Sequence, residues 1–331
     1  MTPAEEGTMQ QVSVTIRDFQ PEDYPAVVDI GNLLYPEHPT TVEQERFEDE
    51  HFDTKQYILR RYVAVRASGS VVGTASLFHM PRAYDPRRFG MWIGVHPQWH
   101  EKGVGHALYE HLFEQFRVLN AVALRTWTRE TMRDSVAWLE RRGFRELMRG
   151  WESRLDVRSF EFPPFANYWG LPPDIEIVTL AEELAKDPES IQALYELDSD
   201  IAPDVPRIDP FTRMGFEMYR DQVLNSPGST PDAVFVAKDG DRYVGLTELS
   251  RDDALPDTLN TGLTGVRREH RGRGIAFALK LRALDWAKRH GYREVRTFNS
   301  TLNAPMLGIN VKLGFVKQPV WITFGKDLMW E

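Results

Sequence analysis

An α/β fold with a mixed, mostly antiparallel sheet, present twice in tandem, is what this chain predicts. Three observations carry it: a constant internal repeat, strand runs paired by short turns, and a Gly-rich loop between a strand and an amphipathic helix. The repeat decides the architecture. Val95 is followed by Gly103, Gly105, Leu108 and Gly143-Phe144, and Val266 by Gly274, Ala276, Leu279 and Gly314-Phe315. The offset is constant, since 266 − 95 = 171 and 314 − 143 = 171. Leu124–Thr128 falls on Val295–Asn299 at the same offset. One register held over about 50 residues marks a duplicated domain. The spans are 1–156, a linker at 157–173, and 174–331.

Each copy opens with a strand run, Val12–Phe19 or Ile175–Leu180, followed by helical segments such as Ser190–Asp198 with Ile191, Leu194 and Tyr195 on one face. Two strand runs then meet across a turn. They are Tyr62–Arg66 with Val71–Phe78 around Ser68-Gly69, and Ala233–Ala237 with Tyr243–Leu249 around Asp239-Gly240. A further strand ends at Val95 or Val266 and enters the Gly-rich loop. In the second copy the helix beyond it carries Ala276, Leu279, Ala283, Trp286 and Ala287 on one face. A strand, a helix and Gly-Phe close each copy. The linker is rich in proline and aromatics and has no periodicity, so Phe160, Phe162, Phe165, Tyr168 and Trp169 are expected to pack against a domain.

Composition narrows the function. With 331 residues, 42% hydrophobic and 27% charged, the chain suits two ordinary globular domains. It has no cysteine, which excludes disulfides, thiolate nucleophiles and Cys-based zinc sites, and no metal is expected. A net charge of −9 argues against nucleic acid as a partner. No apolar run approaches the roughly 18 residues that suggest a membrane span. The polar, acidic start Met1–Gly7 is unlike a secretory signal, so a cytoplasmic protein without membrane attachment is expected.

The loop Val266-Arg-Arg-Glu-His-Arg271-Gly-Arg-Gly274-Ile-Ala276 is the strongest chemical signal. Such a turn at a helix start aims successive backbone N–H groups at an anion, and the helix dipole adds positive charge. Glycine permits close approach and positive φ. A pyrophosphate suits it. The Gly-Lys-Ser/Thr of a P-loop is missing, and in the first copy Leu108 fills the slot of a dinucleotide fingerprint's third small residue.

With Arg271, Gly274 and Ala276 after a strand, then Asn303, Ile309 and Gly314-Phe315, the chain resembles the GCN5-related N-acetyltransferase (GNAT) superfamily as a tandem two-domain member. The resemblance implies that Val266, Arg271, Gly272, Arg273, Gly274, Ile275, Ala276 and Asn303 bind acetyl-CoA as cosubstrate. It implies a backbone N–H near Val266 as oxyanion donor, and direct transfer of the acetyl group to a primary amine of a small molecule or peptide.

Within the repeat, His100 faces Arg271, Met132 faces Asn303 and Leu139 faces Asn310. Catalysis is therefore expected in the second copy, with Val95, Gly103, Val104 and Gly105 as a possible second cofactor site. Glu248, on a strand beside the cofactor strand, is the candidate base. Asn303 and Asn310, two helical turns apart, are candidates to orient cofactor and thiolate, Asn310 standing where the family has a tyrosine acid. Asp198, Asp200 and Asp204 are candidates to receive a cationic acceptor, and His270 reads as loop surface. A monomeric pseudo-dimer or a homodimer is expected. The rival readings are a silent acyl-CoA sensor and an aminoacyl-transferase-like protein.

Overall fold

A computed structural model describes residues 13–168 and 170–330. Met1–Gly7 and Trp169 lie outside the described residues, as does the side chain of Tyr168. Packing divides the chain into two compact units. One takes in the described residues up to Met80, Tyr84–Thr126 and those from Gly325 on, and the other Pro81–Ala83 and Trp127–Phe324. These units cut across the sequence repeat.

In the first unit, strand β1 (Thr15–Asp18) leads to helices α1 (Tyr24–Leu34) and α2 (Val42–Glu50). Strands β2 (Leu59–Val65), β3 (Val71–Phe78) and β4 (Arg88–Val95) form an antiparallel meander with β1. Helix α3 (Val104–Val118) then crosses to β5 (Ala123–Arg129), which runs parallel to β4.

Helix α4 (Arg133–Glu140) and strand β6 (Arg145–Asp156) end the first repeat but belong to the second unit. There follow β7 (Ile175–Thr179), α5 (Leu180–Lys186), α6 (Ser190–Ile201), α7 (Phe216–Leu224), β8 (Val234–Asp239), β9 (Arg242–Arg251) and β10 (Thr258–Val266). Then come α8 (Ile275–Arg289), β11 (Glu294–Ser300), α9 (Ala304–Lys312) and β12 (Val316–Asp327). Strands β7 to β10 are antiparallel, β10 and β11 are parallel, and β6 pairs antiparallel with β11 from Asp156↔Glu294 to Gly150↔Ser300. Thus a strand of the first repeat completes the sheet of the second unit.

Helix α8 is buried on more than one stripe, because Phe277 and Leu281 join Leu279, Ala283 and Ala287 inside. The linker explains the extra coverage. Phe160 and Phe165 stack at 5.5 Å, Phe165 reaches Phe277 at 5.7 Å, and the Lys288 ammonium donates to the Phe160 carbonyl at 2.7 Å. The linker therefore packs, as its aromatic content requires.

Alternation on β9 separates two faces. Gly245 faces Leu279 of α8, where an added Cβ would stand 3.2 Å from it, while Glu248 faces the opposite side. There the bare Gly262 leaves room for the Glu248 carboxylate.

Candidate active site

Strands β10 and β11 pair only over Thr258–Asn260 and Glu294–Arg296, then part. The register between β9 and β10 shifts between Thr261 and Thr264. That shift is a β-bulge, and it turns the Leu263 N–H toward Glu248 Oε2 at 2.9 Å. The corresponding strand pair of the first unit has no such shift. There β3 and β4 run in unbroken register from Gly73↔Val95 to Phe78↔Gly90. The bulge is one extra residue: the parallel pairs Thr258↔Glu294 and Arg88↔Ala123 give 294 − 123 = 171 but 258 − 88 = 170.

Around Glu248 sits a group of polar side chains that sequence reasoning did not assemble. Asp198 of α6 is buried and takes a bidentate ion pair from Arg82 at 2.7 and 3.1 Å. The Arg82 backbone is held by Arg207 Nη1 at 3.2 Å and by the Thr212 N–H at 3.1 Å. The Tyr219 hydroxyl of α7 is buried without a hydrogen-bond partner. Burial pushes the Glu248 carboxyl up, the Asp198 charge pushes it further, and the Leu263 N–H and Arg82 offset part of this, leaving it at about 7. A carboxyl with that value exchanges a proton near neutral pH.

The loop after β10 has the backbone shape of an anion cradle. Gly272 and Gly274 have φ of +74° and +80°, and a Cβ on either would meet nothing within 4 Å, so this face is open to a ligand. Gly274 caps α8, and Ile275 and Ala276 begin it. Arg271 Nε donates to the Val266 carbonyl at 2.9 Å. The basic side chains are paired: Arg267 with Asp200, Arg268 and Arg271 with Asp204, and Arg273 with Asp174 at 2.7 Å. Hydrogen bonds from Arg268 and then Arg271 hold Asp204 down at about 2. Asp198, Asp200 and Asp204 thus already carry arginine partners, and a cationic acceptor would have to displace them. His270 is buried against Asp239 at 3.1 Å instead of lying on the loop surface.

The asparagines separate. Asn310 is buried and donates to Asn299 Oδ1 of β11 at 2.6 Å, with its own Oδ1 left unpaired. Asn303 caps α9 instead, accepting from the Met306 N–H at 3.4 Å. It is outside the helix, so the two-turn spacing does not bring it to Asn310.

The first unit keeps the loop and lacks the rest. Gly103 caps α3 with φ +86°, Val104 is fully buried, and Gly105 lies against Val95. His100 Nε2 meets the Val95 carbonyl at 2.8 Å, the contact that Arg271 makes with Val266. Glu101 holds φ +60° where the second unit has Gly272, so the loop shape persists against strain. Where Gly245 approaches Leu279, Gly73 approaches Leu108; three residues on, Glu248 is matched by Ser76.

Comparison with known proteins shows the family and the fold. The acetyltransferase (GNAT) family model matches residues 25–144 and 180–315, and the chain belongs to that family. The tandem GNAT protein of the clavulanic acid biosynthesis pathway, solved without AcCoA, superposes with a TM-score of 0.75. It is 22% identical, over 96% of this chain and 100% of that one. A GCN5-related N-acetyltransferase from Sphaerobacter thermophilus gives 0.69 at 20% identity over 95% of each chain. The glucosamine N-acetyltransferase region of a fungal GH3 β-N-acetylglucosaminidase gives 0.72 at 15% identity, over 98% of this chain and 40% of that chain. At these identities the likeness is one of fold. No curated protein matches in a sequence search. Among the described residues no helix is long and apolar enough to cross a membrane, and no group of three or more His, Asp or Glu is placed to hold a metal.

Proposed function

We propose that the second unit is an N-acetyltransferase that takes an acetyl group from acetyl-CoA and passes it to a primary amine, while the first copy shapes the protein without turning over. The proposal keeps the repeat spans 1–156 and 174–331 as the two evolutionary domains, joined by 157–173. The observation that carries it is the β10 bulge, which sets a backbone N–H and the Glu248 carboxyl together beside an open Gly272–Gly274 loop.

The backbone N–H groups at Gly274, Ile275 and Ala276 suit a pyrophosphate at the α8 start. Val266 marks the end of the strand along which the pantetheine arm would run, and Arg271 and Arg273 flank the loop. Acetyl-CoA supplies the activated acetyl group. Glu248 removes a proton from the incoming ammonium, because only the neutral amine is a nucleophile. The Leu263 N–H then suits the oxygen that gains charge, provided Glu248 releases it. Asn299 and Asn310 offer amide groups near the end of β11, and Asn303 serves as a cap.

Thiol release from acetyl-CoA with a panel of amines tests the reading. Acetyl-CoA binding without release on any amine would favour a sensor, for which the replacement of the family's tyrosine by Asn310 speaks. Two further outcomes are expected. Arg271→Ala should weaken acetyl-CoA binding less than any bulky residue at Gly274, since the backbone supplies most donors; calorimetry reads this. Gly262→Ala places a Cβ 2.5 Å from Glu248 Oε2 and should lower kcat while leaving acetyl-CoA affinity intact. Unchanged steady-state kinetics would remove Glu248 from the base role.

A further inference from the structure

Lys280 of α8 is buried, at 3% exposure, on the face of β9 opposite Glu248. It lines a cavity with Thr247, Thr261, Leu284, Val295 and Phe315, and its ammonium lies 5.3 Å from the centre of the Phe315 ring. No carboxylate shares that cavity. The Thr247 hydroxyl is engaged with Thr264 at 2.7 Å, whereas the Thr261 hydroxyl is buried without a partner. Thr261 is the first β10 residue beyond the last pair with β11, Asn260↔Arg296, and Val295 lies one residue before that pair ends. The cavity around the cation therefore reaches the start of the splay. Asn299, two alternations along β11 from Val295, shares this face with Asn310.

The titratable groups nearby point elsewhere. Glu248 occupies the other face of β9, and Arg296, adjacent to Val295, faces away and is tied to Glu294 at 2.7 Å. Lys312 of α9 lies over Phe277. An isolated buried cation is costly unless an anion joins it. Burial alone pushes the Lys280 ammonium down to about 8, close to the roughly 8.5 of an ordinary thiol. The first copy has Tyr109 at this place, since 280 − 171 = 109, and its hydroxyl accepts from Lys326 at 3.0 Å.

We propose that Lys280 is the proton donor to the departing coenzyme A sulfur, filling the role that the Asn310 amide cannot perform. This rests on the acetyltransferase reading above. As the tetrahedral intermediate collapses, the C–S bond breaks and its electron pair passes to sulfur, which takes a proton from Lys280 Nζ. The nitrogen loses one proton to Glu248 before attack and a second as the intermediate collapses, each passed on from Glu248 to solvent. Solvent returns one to Lys280, so each turnover releases one proton and both side chains regain their starting forms.

The test is the ionisation of the thiol of bound coenzyme A, followed by thiolate absorbance against pH, in the parent, Lys280→Met and Lys280→Arg. In the parent the bound thiol should ionise at least one pH unit below free coenzyme A. Lys280→Arg should keep that lowered value, and Lys280→Met should lose it. In turnover, the parent's rate should fall above about pH 8 as Lys280 loses its proton, and Lys280→Met should be slower by about 10²-fold without that limb. A bound thiol with the free value in the parent overturns the proposal, even if no variant folds. The same lowered value in parent and Lys280→Met also overturns it while leaving the acetyltransferase reading intact. Calorimetry showing no coenzyme A binding at all removes both.

Discussion

Gly274→Val is expected to abolish efficient turnover, whereas Gly103→Val leaves the rate within a few-fold. The pair is a matched control. Both glycines cap a helix of equal length with φ of +80° and +86°, so valine is strained equally at each. A left-handed β-branched residue costs roughly 1–3 kcal/mol wherever it stands. Thermal unfolding should therefore show similar losses in the two variants. What is expected to differ is the ligand above each loop. At Gly274 the added side chain projects into the open space where a phosphate would approach the backbone. Acetyl-CoA binding should weaken there by at least about tenfold, or 1.4 kcal/mol. Steady-state kinetics decides between the copies: equal losses would mean two working sites, and the reverse pattern would move catalysis to the first.

Glu248→Gln should lower kcat by about 10²- to 10⁴-fold, with acetyl-CoA affinity nearly unchanged. The parent's rate should fall on the acid side of about pH 7, where Glu248 takes up its proton, and the variant should lack that limb. Stability supplies an independent readout. The folded value lies above the ordinary 4.5, so the folded state favours the protonated form. Stability from this group is full below about pH 4.5 and is lost as pH rises through about 7. Glutamine cannot ionise, so the variant should match the parent at acid pH and exceed it at pH 8. Each pH unit separating the folded and ordinary values is worth about 1.4 kcal/mol, so the gain is on the order of 3–4 kcal/mol. Denaturant melts at both pH values measure it, and a variant that loses stability at pH 8 would contradict the buried carboxyl.

What the sequence made legible was backbone. Gly103, Gly105, Gly143 and their partners keep one offset because positive φ and tight helix starts tolerate few residues, so the duplication, the loop and the succession of strands in each copy followed from spacing. The pairing of β6 with β11 did not. The bulge was also written there, as the change from 171 to 170 at the start of β10, but only for a reader who knows where strands pair. Arg82 had no local signal. It meets Asp198 across 116 positions, and no periodicity connects an arginine of one repeat to an aspartate of the other. Lys280 misleads for the opposite reason: a lysine within a helix reads as solvent-facing, and only the sheet and Phe315 packed around it reveal it as interior. Asn303 and Asn310 show the limit of helical spacing, which holds only when both residues are inside the helix.

The pairing of β6 with β11 has a consequence for heredity. A gene copy encoding 174–331 alone would leave β11 with a row of unsatisfied N–H and C=O groups, an invitation to strand pairing between molecules. It would also strip Asp198 of Arg82, stranding a buried charge at a cost of roughly 3–5 kcal/mol. Once the first copy supplied those parts, its own chemistry could decay while its deletion became lethal to the fold. On the proposed assignment of catalysis to the second unit, the duplication acts as a ratchet, and the half with Ser76 in place of Glu248 persists as scaffolding.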